Sequence, residues 1–404
     1  MCTLLNLLWI FCYNNRKRKD VRGMKFIHTA DWHLGKVVHG VHMTEDQRFA
    51  LQQFIEVVEE EKPDAVVIAG DLYDRSVPPT EAVELLDQTL YKINVEMKTP
   101  IVAISGNHDS AERLSFGSTW YRQSQLYLEG RIVNSLEPAR INGVNFYSVP
   151  YAEPGVVRQI IGDPHIQSHQ EAMKAITDRI SETLNPNEAN VLVGHAFVLG
   201  GKESDSERVL SVGGTGCVHV DVFDAFDYTA LGHLHSPDAI RHPKVYYSGS
   251  LLKYSFSEAT QKKSLSIIEM KENGDFDLRY RSLIPKRDVR EIAGYMEELL
   301  DPSFYQHQQI EDYLKITLLD EGSLIDPINR LRQVYPNVLH LERKWDVMDL
   351  RRKQSFSSIK DERKSELDLF ETFYNEMTDR EFDQKKRDVM IAVIDSVKQE
   401  EGEK

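Results

Sequence analysis

The sequence predicts a layered α/β sandwich followed by a small α+β domain and C-terminal helices. Three observations lead to this fold class. From Met24 onward, short apolar runs alternate with segments of helical period. Several of the apolar runs end in glycine followed by a polar residue. Beyond about Lys286 this alternation of apolar runs and helical segments changes. Strands separated by helices imply right-handed crossovers and parallel strands that are covered on both faces.

Five apolar runs are predicted as strands of the sandwich: residues 24–30, 64–70, 99–106, 189–195 and 227–233. Helices are predicted over residues 46–62 and 79–93, and in the first of them Phe49, Phe54 or Ile55, and Val58 recur at helical spacing. Residues 145–151, 244–250 and 264–270 have the character of hairpin strands. Together these elements predict a first domain over residues 24–285.

Residues 286–344 are predicted to form a second, small α+β domain. Here residues 288–300 are predicted as a helix and residues 312–320 as an alternating strand, followed by a helix that begins after Asp326 and a strand over residues 337–343.

Residues 345–404 are predicted to be a charged linker and a terminal helix pair. Apolar side chains recur along one face of each helix, and a capping box of Thr378 and Glu381 would start the second helix. The first face contains Leu367, Phe370, Phe373 or Tyr374, and Met377, and the second contains Val389, Val393 and Val397. Such faces usually pack in a core, but after a charged linker we expect this pair to dock on a partner.

Composition narrows the functional classes. The chain has 404 residues, a net charge of −15 and three cysteines without paired spacing. This cysteine usage argues against a disulfide framework or a zinc ribbon and favours the reducing cytoplasm. The negative charge argues against a protein that holds nucleic acid by a broad basic face alone.

The first 23 residues differ from the rest of the chain. Their apolar run, MCTLLNLLWIFCY, precedes a basic stretch and is shorter than the roughly 20 residues that span a bilayer. A secretory signal would have the reverse order of charge and apolar run. We expect residues 1–23 to be a non-structural extension, with an interfacial anchor as the alternative.

Polar side chains follow the predicted strands at their carboxyl ends, where open α/β sheets bind ligands. Taken singly, each is more typical of a turn or a helix cap. Their shared placement predicts a site for one or two divalent ions of the Mn²⁺, Fe²⁺ or Zn²⁺ type, because the set contains carboxylates, an amide and imidazoles but no thiolate. The set is Asp31, His33, Asp71, Asn107, His108, His195, His233 and His235.

The ordered series D-x-H, G-D, G-N-H-D, G-H and G-H-x-H resembles the calcineurin-like metallophosphoesterase superfamily. A group of DNA nucleases within this superfamily is similar to the chain from Met24 nearly to the C-terminus, through the stretches HTADWHLG, GDLYDRSVPP, SGNHDS, SDSERVLSVGG, ALGHLH and YSGSLLKYSFSEA.

The resemblance implies a metallophosphoesterase sandwich with two Mn²⁺ ions that share Asp71. It implies that Asp31, His33 and His235 complete one ion site and that Asn107, His195 and His233 complete the other. His108 would be the catalytic imidazole, with Asp109 as its orienting partner.

Two neighbouring residues depart from or extend this pattern. Asp74 stands where relatives often carry histidine, so we expect an indirect role such as orienting His108. Arg75 would either hold phosphate or belong to an exposed loop.

The same resemblance implies a function. It implies a Mn²⁺-dependent DNA nuclease, acting as a 3′–5′ exonuclease on double strands and as an endonuclease on single strands and hairpins, in DNA repair, recombination and replication. Its partner would be an ABC-type ATPase with a coiled coil, bound by the terminal helices, and the nuclease would form a homodimer within a heterotetramer. Residues 286–344 would be a capping domain. The alternatives are a phosphatase or cyclic-nucleotide phosphodiesterase of the same superfamily, and a non-catalytic scaffold for DNA ends.

Overall fold

The structure, a computed structural model, describes residues 23–207, 216–321, 324–344, 365, 367–371, 374 and 382–402. It divides the chain into two units, Met1–Glu342 and Arg343–Lys404. Residues 1–22 of the predicted extension, which covers residues 1–23, lie outside the described residues, as do Phe373, Met377, Thr378 and Glu381. The predictions made for them therefore stay predictions.

The described residues contain eighteen strands. In chain order they are β1 (Met24–Thr29), β2 (Val37–Val38), β3 (Val41–His42), β4 (Ala65–Ala69), β5 (Ile101–Ile104), β6 (Leu126–Glu129), β7 (Ala139–Ile141), β8 (Val144–Val149), β9 (Ala189–His195), β10 (Phe197–Val198), β11 (Cys217–Val218), β12 (Tyr228–Gly232), β13 (Val245–Tyr247), β14 (Ser264–Met270), β15 (Phe276–Ser282), β16 (Val289–Gly294), β17 (Tyr313–Leu318) and β18 (Val338–Arg343).

The α-helices are α1 (Thr44–Glu61), α2 (Thr80–Tyr91), α3 (Ala111–Leu114), α4 (Ser118–Tyr121), α5 (Pro154–Ile161), α6 (His169–Ser181), α7 (Met296–Leu299), α8 (Pro302–Tyr305), α9 (Pro327–Arg332) and α10 (Gln384–Gly402). A π-helical turn, Lys92–Glu96, continues α2. Short 3₁₀ turns occur at Arg122–Ser124, Val220–Phe223 and Phe256–Glu258.

Two sheets face each other in the first unit. The first has the order β15-β14-β1-β4-β5-β6, with β1, β4, β5 and β6 mutually parallel and β14 and β15 antiparallel to their neighbours. The second has the order β13-β12-β9-β8-β7, in which only β7 pairs antiparallel. The predicted α/β class is confirmed, and its parallel strands all end at one edge of their sheet.

The strand sequences explain the layers. Successive side chains of a strand point to opposite faces, and in β4 Val66 and Ile68 pack against α1 and α2, while Val67 and Ala69 face the second sheet. Phe26 joins the sheets through edge contacts with Phe146 and Tyr228, at centroid distances of 5.4 Å and 5.6 Å. Helices α5 and α6 cover the outer face of the second sheet. The order of layers is therefore α, β, β, α.

One hairpin prediction was wrong. Residues 245–247 form β13, which pairs parallel to β12 with Thr229 opposite Val245. The intervening segment crosses back over the sheet edge instead of making a tight turn. The other predicted hairpin strands do make antiparallel pairs, β8 with β7 and β14 with β15.

Strands β16, β17 and β18 form a separate three-stranded sheet with a core that includes Leu314, Ile316 and Leu331. The predicted helix over residues 288–300 was wrong for its first half, because Val289–Gly294 is strand β16, parallel to β17. The predicted strands and the helix after Asp326 are confirmed. The sheet belongs to the first unit, so the domain boundary at residue 285 stays a prediction.

In the second unit, the rings of Phe370 and Tyr374 lie 5.7 Å and 5.2 Å from the ring of Phe382. Phe382 is buried, whereas Val389 and Val393 on α10 are exposed. None of the helices in the described ranges is long and apolar enough to cross a membrane.

Candidate metal centre

The predicted site residues lie at the carboxyl ends of the parallel strands or on the loops just beyond them. Asp31 and His33 follow β1, Asp71 follows β4, and Asp31, His33 and Asp71 have φ values of 54°, 46° and 52°. Left-handed backbone at such residues costs about 1–3 kcal/mol each and persists where surrounding contacts enforce it. The contacts here are backbone hydrogen bonds from Asp31 N to Gly70 O at 3.0 Å and from His33 N to Asp71 O at 2.9 Å. The two loops therefore fix each other.

One group of side chains converges around Asp31, His33 and His235. Their potential ligand atoms all lie within 4.8 Å of one another, and all three residues are buried. Nε2 of His33 lies 3.0 Å from Nε2 of His235 and 3.6 Å from Oδ2 of Asp71.

A second group lies on the other side of Asp71. Oδ2 of Asp71 is 3.5 Å from Nε2 of His195. Oδ1 of Asn107 lies 2.9 Å from the same His195 atom and 3.2 Å from Nδ1 of His233. Because one carboxylate oxygen of Asp71 approaches both His33 and His195, Asp71 stands between the two groups.

The electrostatics of the cluster suit a cation. Burial lowers the pKa of His33, His195 and His233, so these imidazoles are neutral and keep a lone pair. Burial, and then the nearby charge of Asp71, raise the pKa of Asp31 well above its usual value. Two buried carboxylates are thus held among neutral rings, and the charge of Lys263 lowers the pKa of Asp31 only as the smallest of the effects on it.

The donor atoms also have the right spacing. Separations of 2.9–3.6 Å between them match the edges of a coordination shell with bonds of roughly 2.0–2.2 Å. The residues therefore fit divalent metal ions, which the fold family also implies.

His108 lies beside the first group, with its ring centroid 4.7 Å from that of His33. Its backbone N–H donates to Oδ1 of Asp71 at 2.9 Å. Its Nδ1 lies 2.8 Å from the backbone oxygen of Asp74, which can only accept, so Nδ1 carries the hydrogen. The structure thus gives His108 a different orienting partner from the predicted Asp109, although an indirect role had been predicted for Asp74.

The carboxylate of Asp109 is used elsewhere. It accepts backbone N–H groups of Leu72, Tyr73 and Gly106 at 3.0, 2.9 and 2.9 Å. Burial and the charge of Asp71 raise its pKa to about 7. Asp109 therefore links the loop after β5 to the loop after β4.

Arg75 is exposed next to Asp74.

Sequence reasoning missed a polar network behind His235. Ser206 Oγ lies 2.7 Å from Nδ1 of His235 and donates to Glu258, which pairs with Lys263 at 2.5 Å. The stretches that contain Ser206 and Glu258 entered the sequence argument only as family likeness. Glu258 and Lys263 are five positions apart, and this spacing in the sequence does not indicate a metal site. Only the folded chain brings them next to His235.

Comparisons with known proteins agree with this geometry. A family model described as calcineurin-like phosphoesterase matches residues 24–237, and one described as type 5 capsule protein repressor C-terminal domain matches residues 285–378. The chain is 37% identical over 379 residues to the SbcD component of the nuclease SbcCD from Staphylococcus epidermidis, covering 94% of this chain and 100% of that protein.

Two solved structures show weaker similarity. A dimetal phosphatase from Danio rerio aligns with a TM-score of 0.41 and 11% identity, over 65% of this chain and 97% of its own. A phosphoesterase from E. coli aligns with a TM-score of 0.25 and 12% identity, over 65% of this chain and 100% of its own. Scores this low add nothing to the assignment.

The phosphoesterase match contains every residue of the two converging groups, and the identity to the staphylococcal SbcD protein extends over nearly the whole chain. For these reasons the chain belongs to the SbcD family of calcineurin-like metallophosphoesterases, which are metal-dependent hydrolases.

Proposed function

We propose that this chain is the nuclease component of a complex with an SbcC-type ABC ATPase and that it hydrolyses DNA phosphodiesters with two Mn²⁺ ions. It would act as a 3′–5′ exonuclease at double-strand ends and as an endonuclease on single strands and hairpins, in DNA repair, recombination and replication. The observation that carries the proposal is the 37% identity, over 94% of the chain, to a protein named as part of a nuclease.

In this proposal the two groups described above hold the ions, with Asp71 shared between them. Such ions activate a water and offset the charge of the phosphodiester. Asn107 contributes a neutral amide oxygen where a third carboxylate would add negative charge, which favours an anionic substrate. The oxygen and imidazole donors, without a thiolate, are compatible with Mn²⁺.

His108 would assist the departure of the 3′ oxygen. With Nδ1 donating to the carbonyl of Asp74, Nε2 is the ring atom left to face the substrate. A proton on Nε2 can pass to the leaving oxygen as its bond to phosphorus breaks. Asp74 acts here through its backbone and holds the ring in place.

The site proposal is tested by comparing Asp71→Asn with His108→Ala. Asp71→Asn removes the shared negative charge, so both bound manganese and hairpin cleavage should fall. His108→Ala should keep its manganese while cleavage drops about 10²-fold or more. Metal content measured by mass spectrometry on the purified variants separates the two effects. Loss of metal from His108→Ala would contradict its role as a non-ligand.

A phosphatase or cyclic-nucleotide phosphodiesterase is the second candidate. Such an enzyme would use the same metal cluster, so only the substrates that the protein cleaves can distinguish it from a nuclease. We expect Mn²⁺-dependent cleavage of hairpin DNA and of bis-p-nitrophenyl phosphate, with little turnover of p-nitrophenyl phosphate. A non-catalytic scaffold is disfavoured because each proposed ligand belongs to one of the two converging groups.

The ATPase is proposed to bind the second unit. Phe370, Tyr374 and Phe382 line a cavity of about 340 Å³ there, together with Val389 and Met390. Val389 and Val393 are 61% and 47% exposed on α10. An apolar row of this kind on a terminal helix suits docking against a coiled coil.

Replacing Val389 and Val393 together by Glu should abolish co-purification with the ATPase, because buried charge in an apolar interface is costly. Metal content and Mn²⁺-dependent cleavage of single strands should stay at wild-type level, since every proposed ligand precedes residue 236. Deletion from residue 360 onward should give the same result. Gln384→Glu, which adds charge on the same helix without removing an apolar side chain, is the control. Continued ATPase binding by the double variant would place the docking site elsewhere.

The homodimer is supported by an exposed apolar patch on α2, the π turn, α4 and the segment between α3 and α4. Tyr91, Val95, Phe116 and Trp120 are 48–73% exposed around a cavity of about 420 Å³. Patches of this kind mark protein interfaces, and a second copy of this chain is the occupant we propose.

A cytoplasmic location is proposed on cysteine usage alone.

A further inference from the structure

A groove of about 520 Å³ opens beside the metal centre. One wall comes from β2 and the segments around Ser206 and Phe256, and the other comes from Lys315 and His340 on β17 and β18. Its volume lies in the range of pockets for ligands of nucleotide size, about 300–1,000 Å³.

Three rings line this groove. The centroid of His39 lies 5.4 Å from that of Phe256 and 6.0 Å from that of His340, with interplanar angles of 42° and 41°. His39 and His340 are exposed and Phe256 is partly exposed. His39 has a φ of 48° and precedes Gly40.

The groove lies next to the side chains of the candidate metal centre. Ser206, in its wall, contacts Nδ1 of His235 at 2.7 Å. The ring of Tyr254, also in its wall, lies 5.7 Å from that of His33. Lys36 donates to the side chain of Asp74 at 2.7 Å, and the backbone of Asp74 holds His108. These contacts bring the groove next to the cluster, so a strand whose phosphate lies at the metal centre has a neighbouring nucleotide within reach of the groove.

The charges in the groove do not favour a phosphate there. Lys36 is paired with Asp74, and Lys315 lies 3.3 Å from Glu291 and 3.4 Å from Glu342. Because Lys36 and Lys315 are paired with carboxylates, the groove offers planar rings to a ligand and no unpaired lysine that would bind a phosphate. Bases stack on such rings irrespective of their sequence.

We infer that this groove holds an unpaired nucleobase of the substrate strand, next to the bond that is cut, stacked against His39 and Phe256 with His340 at the side. The inference rests on the proposed nuclease function. A paired base has its faces covered by its duplex neighbours, so the groove selects frayed ends, single strands and hairpin loops.

The test uses single-stranded oligonucleotides of one sequence, each with one abasic residue at a successive position around the cleaved bond. With Mn²⁺ and the full chain, kcat/KM should fall at least about fivefold when the abasic residue occupies the groove position, the lower end of what losing one stacked base costs. Abasic residues farther away should have little effect.

The variants are chosen to remove rings without breaking the fold. His39→Asn tolerates the left-handed backbone, and Phe256→Leu keeps an apolar side chain. Their combination should slow cleavage of the intact oligonucleotide to the rate of the abasic one and leave the abasic rate unchanged. Phe256→Trp should keep the sensitivity to the abasic position. Tyr280→Ala, which removes an exposed ring from β15 outside the groove, is the control.

Two results would overturn the inference: no position at which the wild type is sensitive, or a double variant that slows both oligonucleotides equally. A failure of the proposed function looks different, because the wild type would then cut none of the oligonucleotides.

Discussion

His235 is held from several sides at the scale of single residues. Its backbone N–H donates to Glu207 at 2.7 Å and its carbonyl accepts from Lys263 at 2.8 Å. Since the Ser206 hydroxyl donates to Glu258, it must accept from Nδ1–H of His235, which leaves Nε2 with a lone pair for a metal. The Glu258–Lys263 pair is buried, and such pairs are costly to break.

Glu258→Gln should therefore weaken Mn²⁺ binding about 10- to 100-fold, the usual effect of losing a group that orients a metal-binding histidine. Titration calorimetry on the metal-free protein measures this directly. Combining it with Lys263→Met avoids an unpaired buried cation, so the double variant separates metal affinity from folding. Lys271→Met removes an exposed lysine and should bind Mn²⁺ as the wild type does. Wild-type affinity in Glu258→Gln would show that Ser206 orients the ring alone.

At the scale of elements, sequence prediction succeeded where strands are buried on both faces. Strands β4, β5 and β9 are runs of four to seven buried residues. Their apolar composition was therefore enough to identify them as strands. It failed at β16, whose alternating charged and apolar residues also fit a helix and which is a strand because it pairs with the distant β17. It also misplaced Phe49, which is exposed, because Ala50, Leu51 and Phe54 form the buried face of α1.

The loop after β5 illustrates how closely these elements approach. A Cβ on Gly106 would lie 2.2 Å from Oδ1 of Asp71, nearer than any packed side chain. Gly106→Ala should displace Asp71 and reduce bound manganese to about the level of Asp71→Asn, with a matching loss of cleavage. Metal analysis and the hairpin assay measure both. Gly155→Ala meets nothing within 4 Å and should behave as the wild type. Full metal occupancy in Gly106→Ala would mean that the loop shifts without consequence.

At the scale of the whole first unit, the small sheet is joined to the sandwich by buried polar contacts. Arg287 donates to both carboxylate oxygens of Asp46 at 3.0 Å and 2.7 Å, and the hydroxyl of Tyr313 donates to the same carboxylate at 2.8 Å. Asp46 is fully buried on α1. No local sequence pattern could predict this junction, because its partners are more than 240 residues apart. The convergence of the strand-end side chains, in contrast, was predictable, because parallel strands carry their carboxyl ends to one edge of a sheet.

Both proposed ion sites take side chains from both large sheets: Asp31 and His33 with His235, and Asn107 with His195 and His233. Occupancy of the cluster is therefore linked to the unfolding equilibrium of the sandwich, because a ligand that binds only the native chain stabilises it by about 2.7 kcal/mol at a hundred times its Kd. The midpoint of thermal unfolding should rise with free Mn²⁺ and fall in EDTA. The rise should be preserved in His108→Ala and reduced in Asp71→Asn. Scanning calorimetry across a Mn²⁺ series measures it, and a midpoint independent of Mn²⁺ would mean that the two sheets hold together without help from the ions.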